Sequence, residues 1–370
     1  MGEAADVFVI GGGPAGLAVA IAARRRGLDV VVADGAQPPI DKACGEGLLP
    51  DTIAALQLLG IAISRQEGFP FRGIRFHGQS GEQVEASFPS GQGIGLRRLL
   101  LHKKMIEHAE RIGVTLLWKT CVTGLCPDGV VIGGNKTISA RWIVGADGMR
   151  SRVRGWAGLN SIKAQQSRYA FRSHYAVRPW TDCMEVYWGS DAQAYVTPVS
   201  GDEVCVVLMS RRRGVRAASI AETFPLLAER LSCAAMTAER GELTVTRSLE
   251  RVYRGRLALI GDASGTVDAI TGEGLCLSFH QAEALAAAFD SGDLAAYQAA
   301  HRRIARRPAL MSKLLLLLDT HETLRHRALR TLAAYPDIFS RLLAVHTGTT
   351  TSPSHLAAAG ALLGWRLVTA

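Results

Sequence analysis

Residues 6–34 read DVFVIGGGPAGLAVAIAARRRGLDVVVAD, and this stretch decides the first half of the fold. A short apolar run, Val7 to Ile10, enters the turn Gly11-Gly12-Gly13-Pro14-Ala15-Gly16. An Ala/Leu-rich segment with helical character follows, Gly27 ends it, and a second apolar run from Val30 to Ala33 leads to Asp34. Strand, glycine turn, helix, strand and closing acid in this order predict a dinucleotide-binding unit. Gly11 allows the tight turn, Gly13 lets the backbone approach a pyrophosphate, and Gly16 lets helix and strand pack closely. Pro14 and Ala15 open a helix whose positive end faces the phosphates, and Asp34 is placed to accept ribose hydroxyls.

Outward from this unit, strand and helix patterns alternate to about residue 150. A helix is expected at 50–59, a hairpin at 73–88 turning near Gly78 to Gly81, and a helix at 96–113 with Leu100, Leu101, Met105 and Ala109 on one face. From about 160 the pattern changes to successive strands at 167–177, 183–189, 193–199 and 203–210, as in an antiparallel sheet. A helix at 217–235 and a strand at 243–252 close this region. A short buried strand at 257–261 then leads through a glycine turn to a helix near 274–290. Beyond Ala295 the chain reads as helix, broken at Pro308, Pro336 and the Thr/Ser-rich stretch 347–354. The expected fold is α/β with two domains. A Rossmann-like domain (1–160 plus 251–300, with a small-strand insertion at 73–92) carries an inserted mixed or antiparallel sheet domain (161–250). A C-terminal helical region (301–370) follows.

At 370 residues with 48% apolar content, the chain is long enough for more than one core. Met1 runs almost directly into the first strand, so no secretory leader is expected. No uncharged apolar run reaches the roughly 18 residues that a membrane span needs. The 7 cysteines show no paired or metal-ligand spacing; reduced thiols in a cytoplasm and no metal are expected. The net charge is +9. Much of the excess sits late, in Arg302, Arg303, Arg306, Arg307, Lys313, Arg325, Arg327 and Arg330. It reads as a solvated helix face or as a patch for an acidic carrier protein or an anionic membrane surface. No nucleic-acid motif accompanies it.

Two further segments extend the nucleotide site. Residues 142–154, WIVGADGMRSRVR, deliver Asp147 and Gly148 from the end of a strand, where an acid can hold a cofactor hydroxyl or orient an arginine. Residues 256–275, RLALIGDASGTVDAITGEGL, place Gly261 and Asp262 at another strand end, the side on which open α/β sheets bind ligands. Gly272, Glu273 and Gly274 then open a helix whose free amides suit a group that gains negative charge. Arg97 and Arg98 begin the pattern R-x-x-L-x-x-x-M, from which an arginine can cover a pyrophosphate.

In order, GGGPAG, Arg98, GADGMRSRVR and LIGDASG resemble the p-hydroxybenzoate hydroxylase-like flavoproteins over roughly residues 5–300. That superfamily includes aromatic monooxygenases, geranylgeranyl reductase-like enzymes and flavin-dependent halogenases. The resemblance implies FAD as cofactor. It places Gly11, Gly13, Gly16 and Asp34 at the ADP half, Asp262 at the ribityl-phosphate region and Asp147 near FAD and NAD(P)H. No second glycine fingerprint is present, so NAD(P)H is expected as a transient co-substrate. Lys42-Ala43-Cys44-Gly45-Glu46-Gly47 is similar to the K-x-C-G segment of the reductase branch, and Asp268 to Gly274 to its P-L-T-G-E-G. Against this, Tyr195-Val196-Thr197-Pro198 stands where the reductases have Y-x-W-x-F-P, and the halogenases' W-x-W-x-I-P is absent.

Three functions follow from these residues. The first is an NAD(P)H- and O₂-using monooxygenase that hydroxylates or epoxidises a hydrophobic, secondary-metabolite-type substrate through a flavin C4a-hydroperoxide. The second is an ene-reductase of isoprenoid-type double bonds. The third is a flavoprotein that only passes electrons to a partner. Either chemistry needs a dry pocket under the sheet domain. Phe171, Tyr187, Trp188, Tyr195 and Pro198 are the expected substrate-pocket residues. Cys44, beside Gly45 and close to the cofactor, is a candidate proton donor, and His174 is the candidate acid–base residue of the sheet domain. The leucine-rich stretch 310–319 and the apolar stretch 355–370 pack on the core, border a tunnel for an alkyl chain, or lie on a membrane surface. The expected location is the cytoplasm, with peripheral membrane attachment left open.

Overall fold

The strand Ala4–Ile10 is apolar on both faces because it is central to a parallel sheet, with Val7, Phe8 and Val9 all buried. In the computed structural model, which describes residues 4–160 and 162–348, this strand lies between Val30–Ala33 and Lys136–Gly145. Thr115–Leu117 extends the parallel order on one side and Leu257–Leu259 on the other. Tyr253–Arg254 pairs antiparallel at that far edge. The hairpin Val122–Cys126 and Gly129–Ile132 is attached to Lys136–Gly145. Helices Pro14–Arg24, Arg98–Arg111 and Gly274–Ser291 pack together beside this sheet, and one apolar core includes Leu17, Ile21, Met105, Phe279 and Leu285.

A second sheet runs in the order Ala235–Met236, Ile162–Ala176, Val204–Ser210, Ala192–Pro198, Cys183–Trp188, Gly73–His77, Gln83–Ser87, with Arg240–Leu249 also paired to Ile162–Ala176. Its pairings are antiparallel except one: Gly73–His77 runs parallel to Cys183–Trp188. The insertion at 73–92 thus contributes two strands to the sheet formed mainly by residues 162–249. The expected α/β, two-domain architecture with a Rossmann-like unit and an inserted, largely antiparallel sheet is present.

Two expectations about helices are corrected. The segment 217–235 is not one helix. Phe224 takes φ −136° and ψ 68° before Pro225, because a residue preceding proline avoids the α region; only Ile220–Thr223 and Pro225–Leu231 are α-helical. Pro308 does not break its helix, which runs from Leu294 to Thr320. Packing against Gly274–Ser291 and the turn at Ala269–Thr271 outweighs the single hydrogen bond that proline removes. The expected break at Pro336 is present, after Tyr335, and a further one falls at His321, giving helices Glu322–Ala334 and Pro336–His346. The stretch 355–370 lies outside the described residues.

Candidate active site

The glycines of the first turn fall into two groups. Gly11 has φ +113°, and a Cβ there would lie 2.4 Å from the Ala146 carbonyl oxygen. A Cβ on Gly16 would lie 1.9 Å from the Gly11 oxygen. These two glycines let the chain pack on itself. Gly13 differs: no protein atom lies within 4 Å of its would-be Cβ. It faces a cavity of about 1430 Å³, which Gly11, Pro14, Ala15 and Asp34 also line. No side chain caps the helix that begins at Pro14, so its first amides are free for an anion.

Asp34 receives the Gly12 N–H at 2.7 Å on one oxygen and the Ala36 N–H at 2.8 Å on the other. It also lines the cavity. Arg98 lines the cavity, and its buried Nε has no partner among the described residues. Arg97 does not line it; its guanidinium pairs with Glu203 and approaches Glu46. Asp147 lines the cavity while one oxygen accepts the N–H groups of Arg152 (2.7 Å) and Val153 (3.1 Å); its other oxygen is buried without a partner. Asp262 lines it and lies 3.3 Å from Lys42 Nζ. Gly261 supports the turn from below, with φ +60° and its N–H bonded to Gln281 at 2.9 Å.

Gly272 (φ +69°) and Gly274 line the cavity where the long helix starts, and that helix too lacks a side-chain cap. The partnerless arginine nitrogen, the open space at Gly13 and the two uncapped helix ends in one cavity fit an extended anionic dinucleotide. Ligand pockets for drug-sized molecules span about 300–1,000 Å³. A cavity of about 1430 Å³ exceeds that range, as a site for a dinucleotide beside a second molecule requires.

Glu273 turns away from the cavity. It is 1% exposed, 3.3 Å from Arg307 Nη2 on one oxygen and 3.5 Å from His346 Nδ1 on the other. Burial pushes its carboxyl up to about 8, with Asp51 adding to the rise and Arg307 opposing it. Burial also pushes His346 down to about 4. From the ordinary carboxylate range up to about 8, the folded chain holds a proton on Glu273 that the unfolded chain has released. Stability present on the acid side is therefore lost as the pH rises through that window. Glu273→Gln in FAD-free protein is expected to flatten the decline and to melt above the parent at high pH, by up to a few kcal/mol. Thermal melts between about pH 6 and 9 check this, and parallel profiles for parent and variant would refute it.

Cys44 and Gly45 lie in the cavity wall, with Cys44 Sγ accepting the Glu46 N–H at 3.4 Å. His174 lies behind that wall, 1% exposed, with Nε2 at 2.7 Å from Glu46 Oε2 and Nδ1 at 3.0 Å from Arg172 Nη1. With Arg172 donating to Nδ1, Nε2 carries the proton and donates to Glu46. Arg172 is in turn paired with Asp41. His174, Glu46 and Cys205 offer ligand atoms within 4.8 Å of one another, but Glu46 and His174 spend theirs on hydrogen bonds. Sequence reasoning missed Glu46 as a structural centre; the available signal was an acid between two glycines, where it takes φ +58°.

Of the expected substrate-pocket residues, Tyr195 lines the cavity, with its hydroxyl 3.2 Å from Gln193 Oε1 and 3.3 Å from the Ile270 oxygen. Strand alternation turns Phe171 and Tyr187 to the other face, while their neighbours Ala170 and Val186 line the cavity. Phe171 there meets Arg216, and Tyr187 stacks on His77. Trp188 packs in the apolar core against Phe76, beyond the cavity wall. The Pro198 backbone presses on Gly95, where a Cβ would lie 1.7 Å from the Pro198 oxygen. The remaining wall comes from Val207 and Met209 of the sheet and from Leu314, Leu318, Leu332 and Leu343 of the C-terminal helices.

The FAD binding domain family model matches residues 4–296. Menaquinone reductase of Mycobacterium tuberculosis is 29% identical over 328 residues, covering 79% of this chain and 78% of the relative. Digeranylgeranylglycerophospholipid reductase 1 of Methanothermobacter thermautotrophicus is 30% identical over 320 residues, covering 79% of each. A solved flavoprotein/dehydrogenase from Cytophaga hutchinsonii superposes with a TM-score of 0.85 at 20% identity, covering 99% of this chain and 100% of that one. A glycine turn that leaves room for a pyrophosphate, an arginine with an unpartnered nitrogen in the same cavity and a family match across most of the length agree: the chain belongs to the FAD binding domain family and is an FAD-dependent oxidoreductase.

Proposed function

We propose that this protein is an NAD(P)H- and O₂-using monooxygenase that hydroxylates or epoxidises a long, apolar substrate. The observation that carries this reading is the continuity of the cavity, from the amide turn at 272–274 to the leucines of the three C-terminal helices. Gly13, Asp34, Arg98 and the first turn of Pro14–Arg24 would hold the dinucleotide end of FAD, and Asp262 its ribityl chain. Bound FAD supplies the electron transfer and the oxygen activation. The amides at 272–274 would offset negative charge on the reduced ring system. Ile74, Met184, Val186, Val207 and Met209 exclude water on the sheet side. Tyr195 holds the one aromatic hydroxyl of that wall among the described residues.

The deciding measurement is NAD(P)H oxidation by FAD-loaded protein with and without oxygen. Oxygen-dependent turnover, with one oxygen atom gained by an alkylphenol or polyene substrate, is the expected result. A reduced protein that stays stable in air would sink the reading.

One observation favours a second reading, reduction of a carbon–carbon double bond. Cys44 lies in the cavity wall within the Lys42-to-Gly47 segment, where a thiol can protonate the carbon opposite the one receiving hydride. The names of the two relatives above, both reductases, point the same way. If alkene saturation is found, Cys44→Ser is expected to slow it by about 10²-fold; an unchanged rate removes the thiol from the mechanism.

A further inference from the structure

Along the helix Leu294–Thr320, Arg303, Arg306, Leu310, Lys313, Leu314 and Leu317 recur at steps of three or four residues with one adjacent pair. At about 3.6 residues per turn this places all of them on one face. Every one is exposed. Leu310, Leu314 and Leu317 are 42%, 41% and 45% exposed, although they also line the cavity. A side chain that belongs to the cavity wall and to the outer surface forms the rim of an opening. Arg303, Arg306 and Lys313 have no carboxylate partner among the described residues. Arg327 and Arg330 add exposed cations on the next helix, which shares the cavity wall through Leu324, Ala328 and Leu332.

Leucines and unpaired cations on one helical face match the boundary zone of an anionic bilayer, with acyl chains below and phosphates at the level of the cations. An acidic protein partner would account for the cations and leave the apolar rim unexplained. No helix among the described residues is long and apolar enough to cross a membrane, so the contact is peripheral. We infer that this chain docks on anionic lipid bilayers through the Arg303–Leu317 face and takes its substrate from the bilayer through the leucine rim. The second clause rests on the apolar-substrate reading above; the first does not.

The test is sedimentation of the full-length, FAD-loaded protein with phosphatidylcholine vesicles, with or without phosphatidylglycerol. Sedimentation only with the anionic vesicles, weakened by added salt, is expected. Replacing Arg303, Arg306 and Lys313 together by glutamine is expected to lower partitioning by about 10²-fold, at several-fold per cation. Leu310→Ser, Leu314→Ser and Leu317→Ser together are expected to abolish it. All six positions are exposed, and flavin absorbance with a thermal melt verifies that the variants fold. Parent protein that stays in the supernatant with anionic vesicles overturns the proposal, and so do variants that sediment like the parent. Capture by an acidic protein without vesicle binding also overturns it and transfers the face to such a partner. Sedimentation needs no turnover, so failure of the monooxygenase reading and failure of docking are separately visible.

Discussion

Gly13→Ala is expected to yield a folded protein that is purified colourless. The backbone at Gly13 has φ −73° and ψ 178°, which any residue adopts, and a methyl there meets no protein atom within 4 Å. The FAD-free melting temperature should therefore hardly change. The methyl instead occupies the space into which the pyrophosphate must come to reach the free amides of the helix Pro14–Arg24. A hydrogen bond to a charged group contributes about 1.5–3 kcal/mol, so losing one or two predicts an FAD affinity lower by about 10²-fold or more. Titration of stripped protein with FAD, read by fluorescence, gives the number. Gly16→Ala is the control with the opposite logic: its methyl would sit 1.9 Å from the Gly11 oxygen, so the turn itself must shift. Yellow, stoichiometrically loaded Gly13→Ala protein would show that the cofactor does not lie across this turn.

Glu46→Ala is expected to cost the folded state about 3–6 kcal/mol, because two hydrogen bonds to a buried carboxylate, at about 1.5–3 kcal/mol each, are lost. Glu46 is 4% exposed. One of its oxygens accepts the Arg98 N–H at 3.0 Å, at the start of the helix that carries Arg98; the other accepts His174 Nε2 at 2.7 Å. Removing the carboxylate leaves His174 Nε2 without its acceptor, takes the second carboxylate away from Arg97 and releases the N-terminus of Arg98–Arg111. FAD binding should weaken with it, because Arg98 lines the cofactor cavity. Glu46→Gln keeps one acceptor oxygen, enough for the Arg98 N–H, but sets an amide NH₂ against the protonated His174 Nε2, and should cost an intermediate amount, about 1.5–3 kcal/mol. Urea titration of the three proteins measures the order. An alanine variant as stable as the parent would mean that this cluster contributes nothing to the fold.

The nucleotide half was legible because its signals are local. A parallel central strand has to be apolar throughout, Gly16 is set by a contact with Gly11 in the same turn and Gly13 by open space for the ligand; Gly11 meets the distant Ala146, but the same short motif marks its place. Asp34, Asp147 and Asp262 follow from strand ends, which are also local. The substrate wall was harder to read because side-chain direction depends on register. Phe171 and Tyr187 look like pocket residues by type, but the strand alternation sends Ala170 and Val186 inward in their place. Arg97 and Arg98 are adjacent, and which one faces the cavity is decided by Glu203, more than one hundred residues away in sequence. His174 and Glu46 meet across 128 positions, a distance over which no periodicity reports. The run Leu314 to Leu318 is apolar all round, so it signals burial without showing that one side borders a cavity and another meets solvent.

The parallel pairing of Gly73–His77 with Cys183–Trp188 carries an architectural cost. A gene fragment restricted to 161–250 would encode a layer missing its two outermost ribbons, with Met184 and Val186 deprived of the neighbours Ile74 and Phe76. This half of the molecule is consequently no portable cassette. Any chimera that exchanges specificity between relatives has to transplant the early hairpin together with the later segment, or it will open a raw seam in the cavity wall.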